Sequence, residues 1–154
     1  MNIKLQETAS TIPVLGITIG EDRWLVSMND IGEILPVPKI TSVFLTQPWF
    51  LGAIHVRGKI YGLSDLACYL THTPTQISAK NRIFLISSHL GTGYALLAGS
   101  ILGIRNLAEF THEPSQAGNE TIMSGIYNDR QGRSWRMLDL SSLMQIESFL
   151  QPSR

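Results

Sequence analysis

Cysteine is almost missing from this chain. Its 154 residues hold one, Cys68, so no internal disulfide can form and no sulfur-rich zinc site can be assembled. Within its apolar surroundings Cys68 reads as a small buried hydrophobe. The four histidines, His55, His72, His89 and His112, stand far apart, and no H-x-x-x-H or C-x-x-C pair occurs, so neither a metal nor any other cofactor is expected. A charge excess is missing too: twelve basic residues balance twelve acidic ones. Nucleic-acid binders gather a basic excess into a stripe. Here the densest basic group, Arg130, Arg133 and Arg136, is short, so no nucleic-acid partner is expected. Zero net charge also gives weak protection against self-association.

No long apolar run is present. YALLAGSILGI (94–104) falls well short of the roughly 20 residues a spanning helix needs. MNIKLQETAS carries no apolar h-region. The chain is therefore expected to be cytoplasmic, with no direct membrane insertion. Catalytic signatures are equally thin. There is no G-x-S-x-G elbow, and the G-T-G at 91–93 lacks the third glycine of a dinucleotide fingerprint. Ser64 and Asp65, adjacent on an expected strand, point to opposite faces and cannot cooperate. Asp65 and Asp139, each followed by Leu, read instead as caps of short helices, with Ser141 or Ser142 as further cap candidates before the closing helix. No catalytic residue is assigned.

What the sequence does contain is a series of short strands. VLGITI (14–19) and RWLVSM (23–28) flank the turn signal Gly20-Glu21-Asp22 and predict a hairpin. Residues 30–35 fit a helical turn or a bent strand. GAIHVRG and KIYGLSDL meet at Arg57-Gly58, a corner where Gly can take positive φ. In the first of these, Ala53, His55 and Arg57 alternate with Ile54 and Val56, which separates a polar side from an apolar one. LACYL predicts a short helix. RIFLISS and YALLAGSIL predict another hairpin, residues 109–120 a long polar loop, TIMSGIYN and SWRMLDL a last strand pair, and SSLMQIESFL (141–150) a closing helix. Trp24 reads as core, and Trp49 packs the start of the GAIHVRG strand. Trp135 is either exposed with an Arg over its ring or partly buried. Nine or ten strands with two short helices predict an all-β barrel or sandwich. At this length folding buries roughly 68–70% of the chain's surface, enough for a core that needs no staple.

Arg57 ends the polar row. Its planar fork of donors suits carboxylates and carbonyls, and arginine is enriched at binding hot spots. The stretch PWFLGAIHVRGKIYGLSDL (48–66) resembles the signature of CheW-like domains: an apolar pair and Gly before a strand, an Arg-Gly corner, then a strand ending in Asp-Leu. ITIGEDRWLVSMNDIGEIL (17–35) resembles that family's opening hairpin. RIFLISS (82–88) resembles its middle strand, and SGIY (124–127) with MLDLSSLM (137–144) its final strand and helix. Within the family, Trp24-Leu25-Val26, the Ala-Ile-His-Val-Arg-Gly variant and SGIY are most similar to the adaptors of type IV pilus (twitching) chemosensory systems.

The resemblance covers roughly residues 12–150. It implies a fold of two five-stranded, SH3-like β-barrel lobes sharing a core, with residues 1–11 and 151–154 as tails. It also implies a non-catalytic adaptor joining the cytoplasmic tip of methyl-accepting receptors to the regulatory domain of a CheA-type histidine kinase, recruited to membrane-associated receptor arrays. The family's receptor-contacting positions fall on Ile31, Glu33, Leu51, Gly52 and Arg57. Leu51 departs from the Lys common there, and His55 from the Asn. The alternatives are a scaffold of another chemosensory array, a small hydrolase using His55 or His112, and a β-domain binding a ligand between its lobes.

Overall fold

The computed structural model describes residues 12–113 and 122–153, and the expected N-terminal tail lies outside them. Eleven strands run through the described residues. They are β1 (Pro13–Ile19), β2 (Asp22–Ser27), β3 (Ile31–Pro36), β4 (Phe50–Val56), β5 (Lys59–Asp65), β6 (Arg82–Ile86), β7 (Tyr94–Ala98), β8 (Ile101–Asn106), β9 (Thr111–Glu113), β10 (Met123–Asn128) and β11 (Ser134–Leu138). Three helical pieces accompany them: α1 (Leu66–Thr71), α2 (Leu140–Leu143) and α3 (Glu147–Leu150). The strands form a six-stranded sheet in the order β8-β1-β2-β11-β10-β9 and a five-stranded sheet in the order β3-β6-β7-β5-β4. The all-β, two-lobed expectation holds. The sixth strand arises because Thr111–Glu113, expected within a polar loop, pairs with Ile126–Asn128. Of residues 30–35, the last five belong to a strand that follows a 3-10 turn over Met28–Asp30.

Three apolar clusters match the two lobes and the seam between them. Ile54, Val56, Leu63, Ile83, Leu85, Ala95 and Leu97 fill the five-stranded lobe. Val14, Leu25 and Trp135 fill the six-stranded one. The largest cluster takes residues from both sheets, including Leu15, Ile17, Trp24, Phe84 and Leu96, and from the helices, including Leu66, Leu143 and Phe149. The alternation of strand side chains lets one sheet contribute to its own lobe with one face and to the shared core with the other.

Two expected elements are divided. YALLAGSIL splits at Gly99-Ser100: β7 stays in the five-stranded sheet, while β8 crosses to the other. Gly99 permits the crossing because a Cβ there would collide with the Thr18 hydroxyl, which itself accepts from Ser100 N at 2.8 Å. The closing helix breaks into α2 and α3 at Ile146, whose backbone is extended. In one continuous helix Leu140 and Phe149, nine residues apart, would lie on opposite faces. The break buries both, and Phe149 stacks on Trp49 at 4.9 Å. Asp139, not Ser141 or Ser142, caps α2: its carboxylate accepts from Ser142 N (3.1 Å) and Ser142 Oγ (2.7 Å). Asp65 caps α1 as expected, accepting from Cys68 N at 3.3 Å. It also accepts from the Thr75 backbone and hydroxyl at 2.7 and 2.8 Å. Cys68 is buried.

Trp135 is buried, with Arg105 and Arg23 over its ring rather than its chain neighbours Arg133 and Arg136, and its Nε1 donates to Asp129 at 3.0 Å. Trp24 is core. The last described residues run back beside the β3–β4 loop, where Pro152 O accepts from Gln47 N at 2.7 Å.

Candidate protein-docking site

The hairpin of β4 and β5 closes with Val56 opposite Lys59, so Arg57 and Gly58 are its only two turn residues. Both have positive φ, 48° and 80°. That is the turn whose twist matches paired strands, and it usually takes Asn-Gly. An arginine pays a steric penalty in the left-handed region, yet here the conformation throws the side chain outward. On β3, Glu33 follows a bulge at Gly32, with Ile31 opposite Ile86 and Glu33 opposite Leu85. β3 and β4 are the two edge strands of their sheet. Arg57 Nη1 donates to Glu33 Oε2 at 2.9 Å, and Nη2 donates to Glu33 Oε1, a two-toothed pair across those edges. The side chains are 68% and 32% exposed, so the pair adds little to fold stability and is open to a competitor. The guanidinium's hydrogen bonds hold the Glu33 carboxyl below the usual carboxylate range, and the same contact raises Arg57. Both groups stay charged at neutral pH.

Leu51 and Gly52 sit at a second bulge, between Phe50 and Gly52 on β4. Leu51 packs against the five-stranded lobe's core. Gly52 is buried with φ 138°, and a Cβ there would overlap the Thr41 carbonyl. Thr41 in turn pairs with Ala53 through bonds of 2.9 and 2.8 Å, which carries the chain leaving β3 along the β4 edge. The five expected residues are thus brought together unevenly. Glu33 and Arg57 touch, and Leu51 and Gly52 shape the adjoining edge. Ile31 packs against the shared core instead, because the bulge at Gly32 turns it away from the Glu33 face.

Beside the ion pair lies an open depression of about 510 Å³, bounded by Glu33, Arg57, Lys59, Ile60, Tyr61 and Gly93. Ile60, 63% exposed, lines it and adds an apolar group that was not among the expected site residues. The signal was there: a two-residue corner sets Ile60 opposite His55, and cross-strand partners share a face. The site therefore offers a fork of donors, a carboxylate and an exposed aliphatic group.

Neither histidine of the hydrolase reading is hydrogen-bonded to a nucleophile among the described residues. His55 is exposed beside Ile60, and His112 packs its ring on Tyr127. Ser87 Oγ does meet His89 Nδ1 at 2.9 Å, with Asp30 3.4 Å from Nε2. That imidazole is more than half exposed and is held only loosely by the carboxylate, which leaves Ser87 without a dried, oriented base. Among the described residues no group of three His, Cys, Asp or Glu could hold a metal ion.

Comparison with known proteins gives the family and the fold. The family model for the CheW-like domain matches residues 13–148. Protein PilI of Pseudomonas aeruginosa is 24% identical over 149 residues, spanning 94% of this chain and 82% of that protein. The crystal structure of scaffolding protein TtCheW from Thermoanaerobacter tengcongensis superposes with a TM-score of 0.74 at 18% identity. It covers 89% of this chain and 94% of its own, a likeness of fold.

Proposed function

The chain belongs to the CheW-like domain family, and from that premise we propose that it is a non-catalytic adaptor of chemosensory signalling. Its partners are the regulatory domain of a CheA-type histidine kinase and the cytoplasmic tip of a methyl-accepting receptor, and its pathway controls type IV pilus twitching. The similarity to PilI supports the pilus assignment. The observation that carries the adaptor reading is the outward-held Arg57–Glu33 pair beside the Ile60 depression. It is a surface rich in recognition groups and poor in acid–base machinery. Residues 12–150 act as one two-lobed unit in the cytoplasm, recruited to receptor arrays. No helix among the described residues is long and apolar enough to cross a membrane.

On this reading Arg57 and Glu33 dock the receptor by exchanging their mutual contact for one with the partner. Ile31, Leu51 and Gly52 hold the flanking backbone. Titrating the purified protein into the kinase regulatory domain in a calorimeter tests the class. Saturable one-to-one binding is expected, and the absence of heat at high micromolar concentration would undo the partner assignment. Leu51 and His55, where coupling proteins commonly carry Lys and Asn, favour one second reading: a scaffold serving another chemosensory array. A panel of kinase domains from different arrays separates the two.

A further inference from the structure

Seven large hydrophobic residues are exposed among the described residues, and three of them are consecutive: Val43 (47%), Phe44 (94%) and Leu45 (77%). They form the tip of the β3–β4 loop. The tip is not slack. Thr41 pairs with Ala53 at one end and Thr46 with Ser153 at the other, and Thr46 Oγ1 donates to Val43 O at 3.0 Å. Leu45 is held at φ +59°, a conformation that costs a branched side chain energy. A tied, strained turn that holds a phenyl ring in water is a preorganised anchor. The surrounding sequence is uncharged, with no Lys, Arg, Asp or Glu from Ile40 through Val56.

The same molecule carries a matching cavity. An open depression of about 530 Å³ is walled by Pro36, Val37, Pro38 and Ile40 on one side and by Ile77 and Ala79 on the other. Ile77 is a fourth of the seven exposed hydrophobics. The polar groups at its border are already engaged: Asn81 Nδ2 donates to Ala98 O and Gly99 O, and Arg82 Nη1 donates to Ala79 O and Asn81 O. What the depression offers is apolar wall from Pro36, Val37, Pro38, Ile40, Ile77 and Ala79, with the Arg82 guanidinium at its border, a setting that suits a phenyl ring.

We infer that the occupant is a second copy of this chain, with Phe44 of each protomer inserted in the depression of the other. The anchor is uncharged, the cavity carries Arg82 as its one charged lining group, and both features are present on each copy. They adjoin in the chain, since Ile40 lines the cavity and Phe44 lies four residues on. A formal net charge of zero adds no long-range repulsion. An aromatic side chain buries about 150–250 Å². Two rings, their walls and the flanking Val43 and Leu45 reach on the order of 1,000 Å², the lower bound of a specific interface. An interface at that lower bound is expected to be weak and transient.

Sedimentation equilibrium of the purified full chain tests this without kinase or receptor, so its failure leaves the adaptor reading untouched. The wild type is expected to pass from monomer to dimer over the micromolar range. Phe44→Ser and Ile77→Asp both change exposed side chains and leave the fold in place. Each should weaken the dimer at least about thirtyfold. An equal mixture of the two variants should recover part of the association, because each mixed pair keeps one intact ring-in-cavity contact. A wild type monomeric throughout, wild-type association in Ile77→Asp, or growth beyond a dimer would each overturn the inference.

Discussion

Arg57 serves two purposes at one position: it turns a hairpin and it presents a cationic fork. A glycine or asparagine would turn the corner at lower cost, so the strain is compensated only if the side chain is used. Arg57→Ala is expected to leave the denaturation midpoint close to wild type, since its ion pair is exposed. Receptor-tip binding, measured by calorimetry, should fall about thirtyfold, the cost of losing a central arginine contact. Gly52 gives the opposite profile. Gly52→Ala forces a methyl group onto the Thr41 carbonyl at φ 138° and should cost about 2 kcal/mol or more in urea unfolding. Asp129 is expected to contribute to acid stability. Its carboxylate accepts from Trp135 Nε1, the Arg133 and Gln131 backbones and Arg133 Nε, which hold it far below the usual range. A depressed folded value means the stabilisation is complete above the unfolded value, about 3.9, and is lost as pH falls through the folded one. The gap in urea midpoint between wild type and Asp129→Asn should therefore be constant near neutrality and narrow below about pH 4.

At the scale of elements, local signals were legible and long-range ones were not. The Arg57-Gly58 corner, the alternation through GAIHV and the Asp65 and Asp139 caps depend on neighbours a few residues away, and each stands where the residues indicated. The parallel pairings of β5 with β7 and β2 with β11 join strands remote in sequence, and no spacing rule reports them. The same limit hid the break between β7 and β8, because Gly99 is required by Thr18, 81 residues earlier. It also hid the Glu33–Arg57 contact as geometry, although both residues were singled out through the family resemblance. Two substitutions probe the helical pieces. Asp65→Ala removes an N-cap, about 1 kcal/mol, and leaves the Thr75 donors unpaired as well, so its cost in urea unfolding should exceed that of a cap alone. Phe149→Ala opens the seam against Trp49 and Tyr69 and should cost about 3–5 kcal/mol, read by the same experiment.

At the scale of the whole molecule, two small lobes share their largest core, and neither can shift without disturbing it. Such a body suits an adaptor, which must hold surfaces in fixed relation rather than move. Its tied edges place the Arg57–Glu33 pair and the Phe44 tip on separate structures, the first on the β4–β5 corner and the second on the β3–β4 loop. The proposed role, linking a kinase to a receptor, is tested by co-sedimentation of the CheA-type kinase with assembled receptor tips, with and without the protein. The kinase is expected to enter the pellet when the protein is added and to stay in solution when it is omitted. Arg57→Ala is expected to support little of this transfer. Equal pelleting with and without the protein, or none in either case, would contradict that role.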